Sequence, residues 1–398
     1  MRVAYVSTDP GVPVFGRKGS SVHVQALLRV LVRAGVTVHL VTVRPGDDVP
    51  ADLLAGPGRV VVHPVPVVPT RTTAEREIAL RAADALVGPV LDALAADGRL
   101  DLVYERYSLW GTAATAWARR SGTPSVLEVN APLPAEQARH RELVDAESAE
   151  RCARAAIGAA GTVVAVSGPV ARWAAERATD PARVHVLPNG VDTARVTPAH
   201  RPDGRFTVAF VGTLKPWHGL DVLLDAFALV LPRVPRARLL VVGDGPQAAA
   251  VDDRVRGLGL GDVVERTGAV APSDVPALLH RADVGVAPYP ALDDFYFSPL
   301  KAYEYLAAGL PVVASAIGEL PAALTGADGA PLGLLVPPGD AAALADALVA
   351  LAADPARRAT LGTRAREAAV ARHDWTVVVG RALDLAGVAL PVGEVSRG

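Results

Sequence analysis

Residues 206–219 read FTVAFVGTLKPWHG, a pattern typical of one βα unit of a parallel sheet. The apolar run from Phe206 to Val211 has the length and the β-branched content of a buried strand. A glycine follows it directly, and the segment from Leu220 to Leu231 then places leucines at helical spacing. This order predicts a loop at the carboxyl edge of a sheet, where doubly wound folds bind ligands.

The same unit recurs on both sides of residues 193–204, a polar segment that contains Pro198 and Pro202 and has no apolar periodicity. Predicted helices include Thr73 to Ala96 and Glu136 to Ala159, between short β-branched runs. The sequence therefore predicts an α/β protein of two doubly wound, Rossmann-like domains whose strand ends face each other across a cleft. The predicted parts are a first domain (residues 1–192), a linker (193–204), a second domain (205–372) and a C-terminal helix (373–392) that packs back on the first domain.

Composition excludes several classes of protein. Lys and Arg total 40 against 42 Asp and Glu, so no overall positive field attracts nucleic acid or an anionic membrane. Hydrophobic residues make up 51% of the 398, which excludes a disordered chain. Cys152 stands alone and cannot form an intrachain disulfide or, by itself, a zinc site. The sequence shows no leader pattern and no apolar run of roughly 18 residues, so we expect a soluble cytoplasmic protein without a transmembrane segment.

The lysines are few and their positions are informative. Among 40 basic residues only Lys18, Lys215 and Lys301 are lysines. Each lies in or just after a loop that follows a predicted strand. One interpretation is that these sites require a compact point charge that arginine does not supply. The alternative is the chance survival of three surface lysines.

The loop Gly212–Gly219 combines two glycines with Lys215, His218 and a predicted exposed Trp217. A pyrophosphate requires close backbone donors together with mobile positive charge, and this loop offers both. An ordinary βα connection is the alternative. The first domain has a weaker candidate for an anion-binding loop, from Gly16 to Ser21. A flexible connection with a serine cap explains these residues equally well.

The segment 295–309 reads FYFSPLKAYEYLAAG and predicts a helix that begins near Ser298 as its cap, with Pro299 in its first turn. Lys301 and Glu304 are three residues apart and share one face of that helix. A lysine at the positive end of a helix dipole is unfavourable unless an anion lies nearby, which predicts a phosphate ligand. A structural ion pair between Lys301 and Glu304 is the alternative.

Four motifs together resemble the large retaining family-4 glycosyltransferases of GT-B fold. They are residues 211–219 (VGTLKPWHG), 241–246 (VVGDGP), 187–192 (LPNGVD) and 304–315 (EYLAAGLPVVAS). The resemblance implies a hexosyltransferase-type enzyme that moves a sugar from a nucleotide diphosphate sugar, with UDP or GDP as the nucleotide, with retention and without a required cofactor or metal. It also implies that the first domain binds a small-molecule or lipid-linked acceptor.

The resemblance further implies which residues bind each substrate. Glu304 would bind the ribose hydroxyls, Thr267 and Gly268 would flank the base, and Gly243 would lie beneath the nucleotide. The remaining donor-binding candidates are Gly19, Ser20, Gly212, Thr213, Lys215, His218, Tyr296, Phe297, Ser298, Pro299, Leu300 and Lys301. The acceptor-binding candidates are Arg106, Tyr107, Glu128 and Asn130, and the catalytic candidates are Lys215, Lys301 and Asn130.

This chain departs from the family pattern at three donor positions. Tyr296 stands where the family usually carries a Glu that touches the donor sugar, although Asp293 and Asp294 lie nearby. Thr213 and His218 replace the usual Arg and Lys of the phosphate loop. The second change shifts charge onto Lys215 and leads us to expect that His218 titrates near neutral pH.

The first domain also departs from the family, because residues 104–107 (YERY) stand where a His usually follows the fourth strand. Two other interpretations compete with sugar transfer, the first of them because of the acid missing at Tyr296. A sugar-nucleotide epimerase or a binding-only relative would keep the fold and lose the transfer step. A Rossmann oxidoreductase would require a Gly-x-Gly-x-x-Gly motif directly after a strand, and neither half of the sequence has one.

Overall fold

The computed structural model describes residues 1–54, 56–198, 204–292 and 295–391. The chain divides into two compact units. The first comprises Met1–Pro188 together with the segment that begins at Trp375, and the second comprises Asn189–Asp374. Each unit contains one parallel β-sheet. The predicted linker, 193–204, falls partly outside the described residues.

Strands and helices are numbered here along the whole chain. The first sheet has seven strands in the order β3-β2-β1-β4-β5-β6-β7, so its direction of winding switches between β1 and β4. Its strands are β1 (Arg2–Ser7), β2 (Thr37–Thr42), β3 (Arg59–Pro64), β4 (Leu102–Arg106), β5 (Ser125–Val129), β6 (Thr162–Ala165) and β7 (Val184–Val186). The helices of this unit are α1 (Gly19–Arg33), α2 (Ala51–Leu54), α3 (Thr73–Ala85), α4 (Val87–Ala96), α5 (Ala113–Ser121), α6 (Leu133–His140), α7 (Ala146–Ala159), α8 (Gly168–Ala175) and α16 (Trp375–Leu385).

The second sheet has six strands in the order β10-β9-β8-β11-β12-β13, with the switch between β8 and β11. Its strands are β8 (Phe206–Val211), β9 (Ala237–Val242), β10 (Val264–Gly268), β11 (Val284–Ala287), β12 (Val312–Ser315) and β13 (Gly333–Val336). The helices are α9 (Leu220–Val230), α10 (Ala248–Gly257), α11 (Val275–Leu279), α12 (Leu300–Ala307), α13 (Leu320–Ala323), α14 (Ala341–Ala353) and α15 (Pro355–Ala368).

Both faces of each sheet are buried, which explains why the strands read as continuous apolar runs. In β8, Phe206, Val208 and Phe210 pack into the core on one face, while Ala209 and Val211 pack into the core on the other. The central strands of the first sheet alternate in the same way. The strand ends are therefore fixed by packing on both sides and hold the loops that follow them.

Two predicted long helices are broken in the structure. The helix predicted from Thr73 to Ala96 ends at Ala85 and restarts at Val87, because Pro89 lacks an N–H and clashes with the carbonyl four residues before it. The helix predicted from Glu136 to Ala159 is interrupted before Ala146. The carboxylate of Glu77 accepts hydrogen bonds from the amides of residues 144 and 145, which holds that segment in a non-helical conformation.

The C-terminal helix is shorter than the predicted range 373–392. It covers Trp375–Leu385 and follows a π-helical turn, and residue 392 lies outside the described residues. Trp375, Val379 and Leu383 contribute to the same core as α1 and β1 of the first unit. Within the described ranges, every helix is too short or too polar to span a bilayer.

Candidate active site

The carboxyl edge of the second sheet is bare backbone at three adjacent strands, because β8, β9 and β10 end in or just before Gly212, Gly243 and Gly268. The amide of Gly243 donates to the Gly268 carbonyl at 3.1 Å. A Cβ on Gly243 would lie 2.1 Å from the Gly212 carbonyl oxygen, and its φ of 133° suits only glycine. Gly212 and Gly243 therefore pack backbone to backbone, and no side chain projects from these two strand ends.

Lys301 lies beside that edge with its charge unpaired. The side chain is 7% exposed, and Nζ has no hydrogen-bond partner among the described residues. Nζ lies 4.1 Å from the ring centre of Phe210 and 5.1 Å from that of Tyr289. A Cβ placed on Gly212 would be 3.3 Å from Nζ, so the ammonium group adjoins the bare backbone. Burial lowers the pKa of Lys301 to about 7.

His218 contacts the same group of residues from the loop after β8. Its Nδ1 lies 2.5 Å from the carbonyl oxygen of Thr213. Because a carbonyl only accepts, Nδ1 carries the proton and donates it. Burial, and then the nearby charge of Lys301, lower the pKa of His218 to about 3. The expectation that His218 titrates near neutral pH is therefore wrong for the ligand-free protein, because its imidazole is desolvated beside a cation.

Helix α12 begins differently from the prediction. The residue at the N-cap position is Pro299, and no side chain among the described residues accepts a hydrogen bond from the first amides of the helix. The Ser298 hydroxyl, which was the predicted cap, instead accepts a hydrogen bond from the amide of Asn189 at 3.2 Å. The amide of Leu300 donates to the Ser298 carbonyl. Half-buried Glu304 lies one turn into the helix, and burial raises its pKa to about 7. Lys301 and Glu304, both described, do not form an ion pair, so the structural alternative for Lys301 is wrong.

We refer to Gly212, His218, Lys301 and Glu304 together as the cradle. An aromatic surface lies beside these four residues. The rings of Trp217 and Phe297 are nearly parallel, with an interplanar angle of 9° and 6.5 Å between their centres. The ring centres of Phe297 and Tyr296 are 4.4 Å apart. The Nζ of Lys215 lies 5.5 Å from the Trp217 ring centre. Trp217 is half-buried rather than fully exposed. Asp293 and Asp294 lie outside the described residues, and the Thr267 hydroxyl donates to the Gly268 carbonyl at 2.9 Å.

In the first unit the structure brings together three of the four acceptor candidates. Glu128 at the end of β5 is buried, and its Oε1 accepts from Arg106 at 3.1 Å and from Asn130 at 2.5 Å. Burial favours the neutral form, but His23 and then Arg106 hold the pKa of Glu128 well below its usual range. These polar groups satisfy one another, and the roles of Arg106, Glu128 and Asn130 towards an acceptor stay predictions.

Tyr107 points elsewhere, because its ring lies 5.9 Å from that of Trp173 and its buried hydroxyl has no partner among the described residues. Gly19 and Ser20 are the first residues of α1, whose cap residue Lys18 provides no side-chain cap. The sequence reasoning missed His23, whose Nε2 lies 2.8 Å from Glu128 Oε1. It also missed Tyr289, for which the end of strand β11 was the available signal.

Comparisons with known proteins cover both units. Residues 17–195 match the family model described as Glycosyltransferase Family 4, and residues 205–354 match the model described as Glycosyl transferases group 1. The D-inositol 3-phosphate glycosyltransferase of Kineococcus radiotolerans is 31% identical over 380 residues, which cover 87% of this chain and 85% of that protein.

Two solved structures share the fold. The sucrose-phosphate synthase of Thermosynechococcus elongatus has a TM-score of 0.69 at 24% identity and covers 95% of this chain and 96% of its own. Anabaena HepE in complex with UDP and glucose has a TM-score of 0.68 at 19% identity and covers 97% of this chain and 99% of its own. The fold is thus GT-B, and the matches favour a glycosyltransferase over the oxidoreductase and epimerase alternatives.

Proposed function

The chain belongs to family 4 of the glycosyltransferases, and we propose that it transfers a sugar from a nucleoside diphosphate donor to an acceptor hydroxyl, with retention and without a metal ion. In this proposal the second unit holds the donor and the first unit binds the acceptor. Uridine is the proposed base, because the HepE structure of the same fold contains UDP.

The unpaired ammonium group of Lys301 is the observation that carries the proposal. A buried cation without a partner destabilises the folded protein, and a bound anion would remove that cost. The group lies next to Gly212, where the sheet edge offers backbone without side chains. A diphosphate carries the negative charge that would pair with this cation. Charge that develops on the diphosphate as it leaves would then be stabilised by Lys301 in a water-poor site.

The residues around Lys301 receive matching roles in the proposal. Lys215 lies over Trp217 and supplies a second positive charge from the same loop as His218. His218 is neutral and donates from Nδ1 to the Thr213 carbonyl, so its Nε2 is a hydrogen-bond acceptor that suits a hydroxyl of the donor rather than a phosphate oxygen. Glu304, when ionised, accepts hydrogen bonds from the ribose hydroxyls. Gly268 has open space where a side chain would lie, which leaves room beside the nucleoside.

The proposed reaction breaks the bond between the anomeric carbon and the β-phosphate oxygen and forms a bond from that carbon to the acceptor oxygen. The acceptor proton passes to the leaving phosphate on the same face of the sugar. Retention follows because attack and departure share one face. Lys301 and Lys215 meet the charge of the diphosphate, which is the basis for proposing that no metal is required.

Release of UDP from UDP-glucose tests the proposal, with D-inositol 3-phosphate as the first acceptor tried because the Kineococcus relative is named for it. We expect turnover that survives EDTA and a product whose anomeric configuration, measured by proton NMR coupling, matches the donor. Lys301→Met should lower turnover roughly a hundredfold. Arg233→Met, at an exposed position of the same unit, is the control and should retain full activity. Normal turnover in Lys301→Met, or an inverted product, would contradict the proposal.

A further inference from the structure

The first unit contains a pocket of about 650 Å³ at the carboxyl edge of its sheet. Two loops form its walls, namely residues 8–18 after β1 and residues 43–50 after β2. Doubly wound sheets bind ligands at this edge. None of the donor contacts proposed above uses the pocket, so its occupant is a separate question.

Backbone hydrogen bonds fix the two loops to each other. The amide of Phe15 donates to the Pro45 carbonyl at 2.7 Å, and the amide of Val14 donates to the Arg44 carbonyl at 3.1 Å. Gly46 lies so close that a Cβ there would be 3.2 Å from the Phe15 nitrogen. The pocket is therefore formed before any ligand binds, which lowers the entropic cost of binding.

The charges that line the pocket are mostly positive. Arg17, Lys18 and Arg44 contribute three cations, and Asp47 contributes one carboxylate. Arg44 donates to the Pro10 carbonyl at 2.8 Å, and Lys18 donates to the Gly11 carbonyl at 3.3 Å.

Those bonds orient the two side chains without neutralising them, because a carbonyl oxygen carries no formal charge. Arg17 makes neither a hydrogen bond nor an ion pair with any described residue. The carboxylate of Asp9, in the same loop, accepts from the amide of Gly11 at 2.7 Å and does not line the pocket. The lining therefore has a net charge of two positive units.

Helix α1 adds to the positive potential of the pocket. Its cap residue, Lys18, lines the pocket, and the helix has neither a side-chain cap nor an acidic residue in its first turn. The partial positive charge of a 15-residue helix therefore adds to the three cations without local compensation.

We propose that this pocket binds an anionic group of the acceptor, of the phosphate monoester class. The dianion of such a group matches the two net positive charges of the lining, and the guanidinium groups of Arg17 and Arg44 can bind phosphate oxygens in a bidentate manner. The identification of the ligand as the acceptor rests on the proposed function, whereas the existence of the anion site rests on the pocket itself.

Titration of the full-length chain with inorganic phosphate, followed by phosphorus NMR, tests the site. The protein is first saturated with UDP, so that the cradle of the second unit does not compete for the phosphate. We expect saturable binding that weakens at least fivefold in Arg17→Ala and in Arg44→Ala. Arg44→Lys should retain most of the affinity, and Arg120→Ala, an exposed arginine on α5 of the same unit, should retain all of it.

Two results would overturn the proposal: no saturable phosphate binding, or equal binding in all of these variants. Because Arg17 has no partner to lose among the described residues, its replacement leaves the fold intact, and thermal unfolding checks this. Failure of the proposed function has a different signature. UDP would then not bind, the phosphate titration would be run without it, and the result would still decide whether the anion site exists.

Discussion

Each sheet has a buried charge at its carboxyl edge, and the two charges differ in the partners that surround them. In the first unit, the Glu128 carboxylate is surrounded by four polar side chains, those of His23, Tyr104, Arg106 and Asn130. In the second, the buried ammonium group of Lys301 lies between the rings of Phe210 and Tyr289 and has no hydrogen-bond partner among the described residues. Partners compensate the desolvation of a buried charge, so the loss of one partner destabilises the fold, whereas a buried charge without partners costs stability and is a candidate functional group.

The same contrast appears in two tryptophans that each lie under a cation. Arg177 lies 4.3 Å from the ring centre of Trp173 and is paired with Glu150 at 3.1 Å. Lys215 lies over Trp217 and has no carboxylate partner within the described ranges. The first arrangement is complete without a ligand. The second leaves its positive charge available to an anion, as Lys301 does.

Replacement of Glu128 gives the largest expected effect on this contrast. Glu128→Gln leaves the buried Arg106 guanidinium without its carboxylate, and we expect the free energy of unfolding to fall by roughly 3–5 kcal/mol. Urea unfolding at pH 7, followed by tryptophan fluorescence, reports on this unit because four of the five tryptophans lie in it. Lys301 lies in the second unit, so the unfolding of Lys301→Met is followed by circular dichroism, which reports on both units, and its stability should be unchanged or higher because an unpaired buried charge is removed.

Glu147→Gln is the matched control for Glu128. This carboxylate is also paired with an arginine, Arg151, but its side chain is 86% exposed. Because solvent screens such a pair, we expect a loss below about 1 kcal/mol. Similar losses in Glu128→Gln and Lys301→Met would show that the two buried charges are equivalent and would break the comparison.

The sequence predicted the sheets well because buried parallel strands are continuous apolar runs. The strand Phe206–Val211 was predicted to the residue. Helix boundaries were less accurate where a distant residue decided them. The break before Ala146 depends on Glu77, almost 70 residues earlier, whose carboxylate binds the amides of the interrupting segment. A local pattern does not contain that information.

The candidate site was predicted in outline for a similar reason. Glycines and the rarity of lysine marked the loops, but the sequence could not show that Phe210 and Tyr289 enclose Lys301. Phe210 lies in β8 and Tyr289 lies in the loop after β11, so the two rings meet the lysine only after the sheet forms. The pairing of His23 with Glu128 likewise joins a helix to a strand about 100 residues away.

The pH dependence of donor binding is the next largest expected effect. In the ligand-free protein burial lowers the pKa of Lys301 to about 7, and a bound diphosphate would raise it again. Binding would then take up a proton above pH 7, so affinity should fall by up to tenfold for each pH unit above that value. Below pH 7 the lysine is already protonated and its contribution to the slope disappears.

Glu304 should produce the opposite slope on the acid side. Burial raises its pKa to about 7, and the ionised form is the one that accepts from ribose hydroxyls, so affinity should also fall as the pH drops below 7. Calorimetric titration with UDP-glucose from pH 5 to 9 measures both slopes. Lys301→Met should flatten only the alkaline slope and Glu304→Gln only the acid one. If the dependence of affinity on pH were unchanged in both variants, Lys301 would behave like a buried charge that is already paired and does not meet the donor.

The smallest expected effect separates the two cation-covered tryptophans. Trp217→Ala removes the ring beneath Lys215, and since a cation–π contact of this kind contributes about 0.5–1 kcal/mol, UDP affinity should fall about threefold. Trp173→Ala makes the same change beneath Arg177, whose charge Glu150 already satisfies. That variant should lose thermal stability while its UDP affinity stays unchanged. Equal losses of UDP affinity in both variants would contradict this comparison. They would show that the absence of a carboxylate partner does not distinguish a binding cation from a structural one.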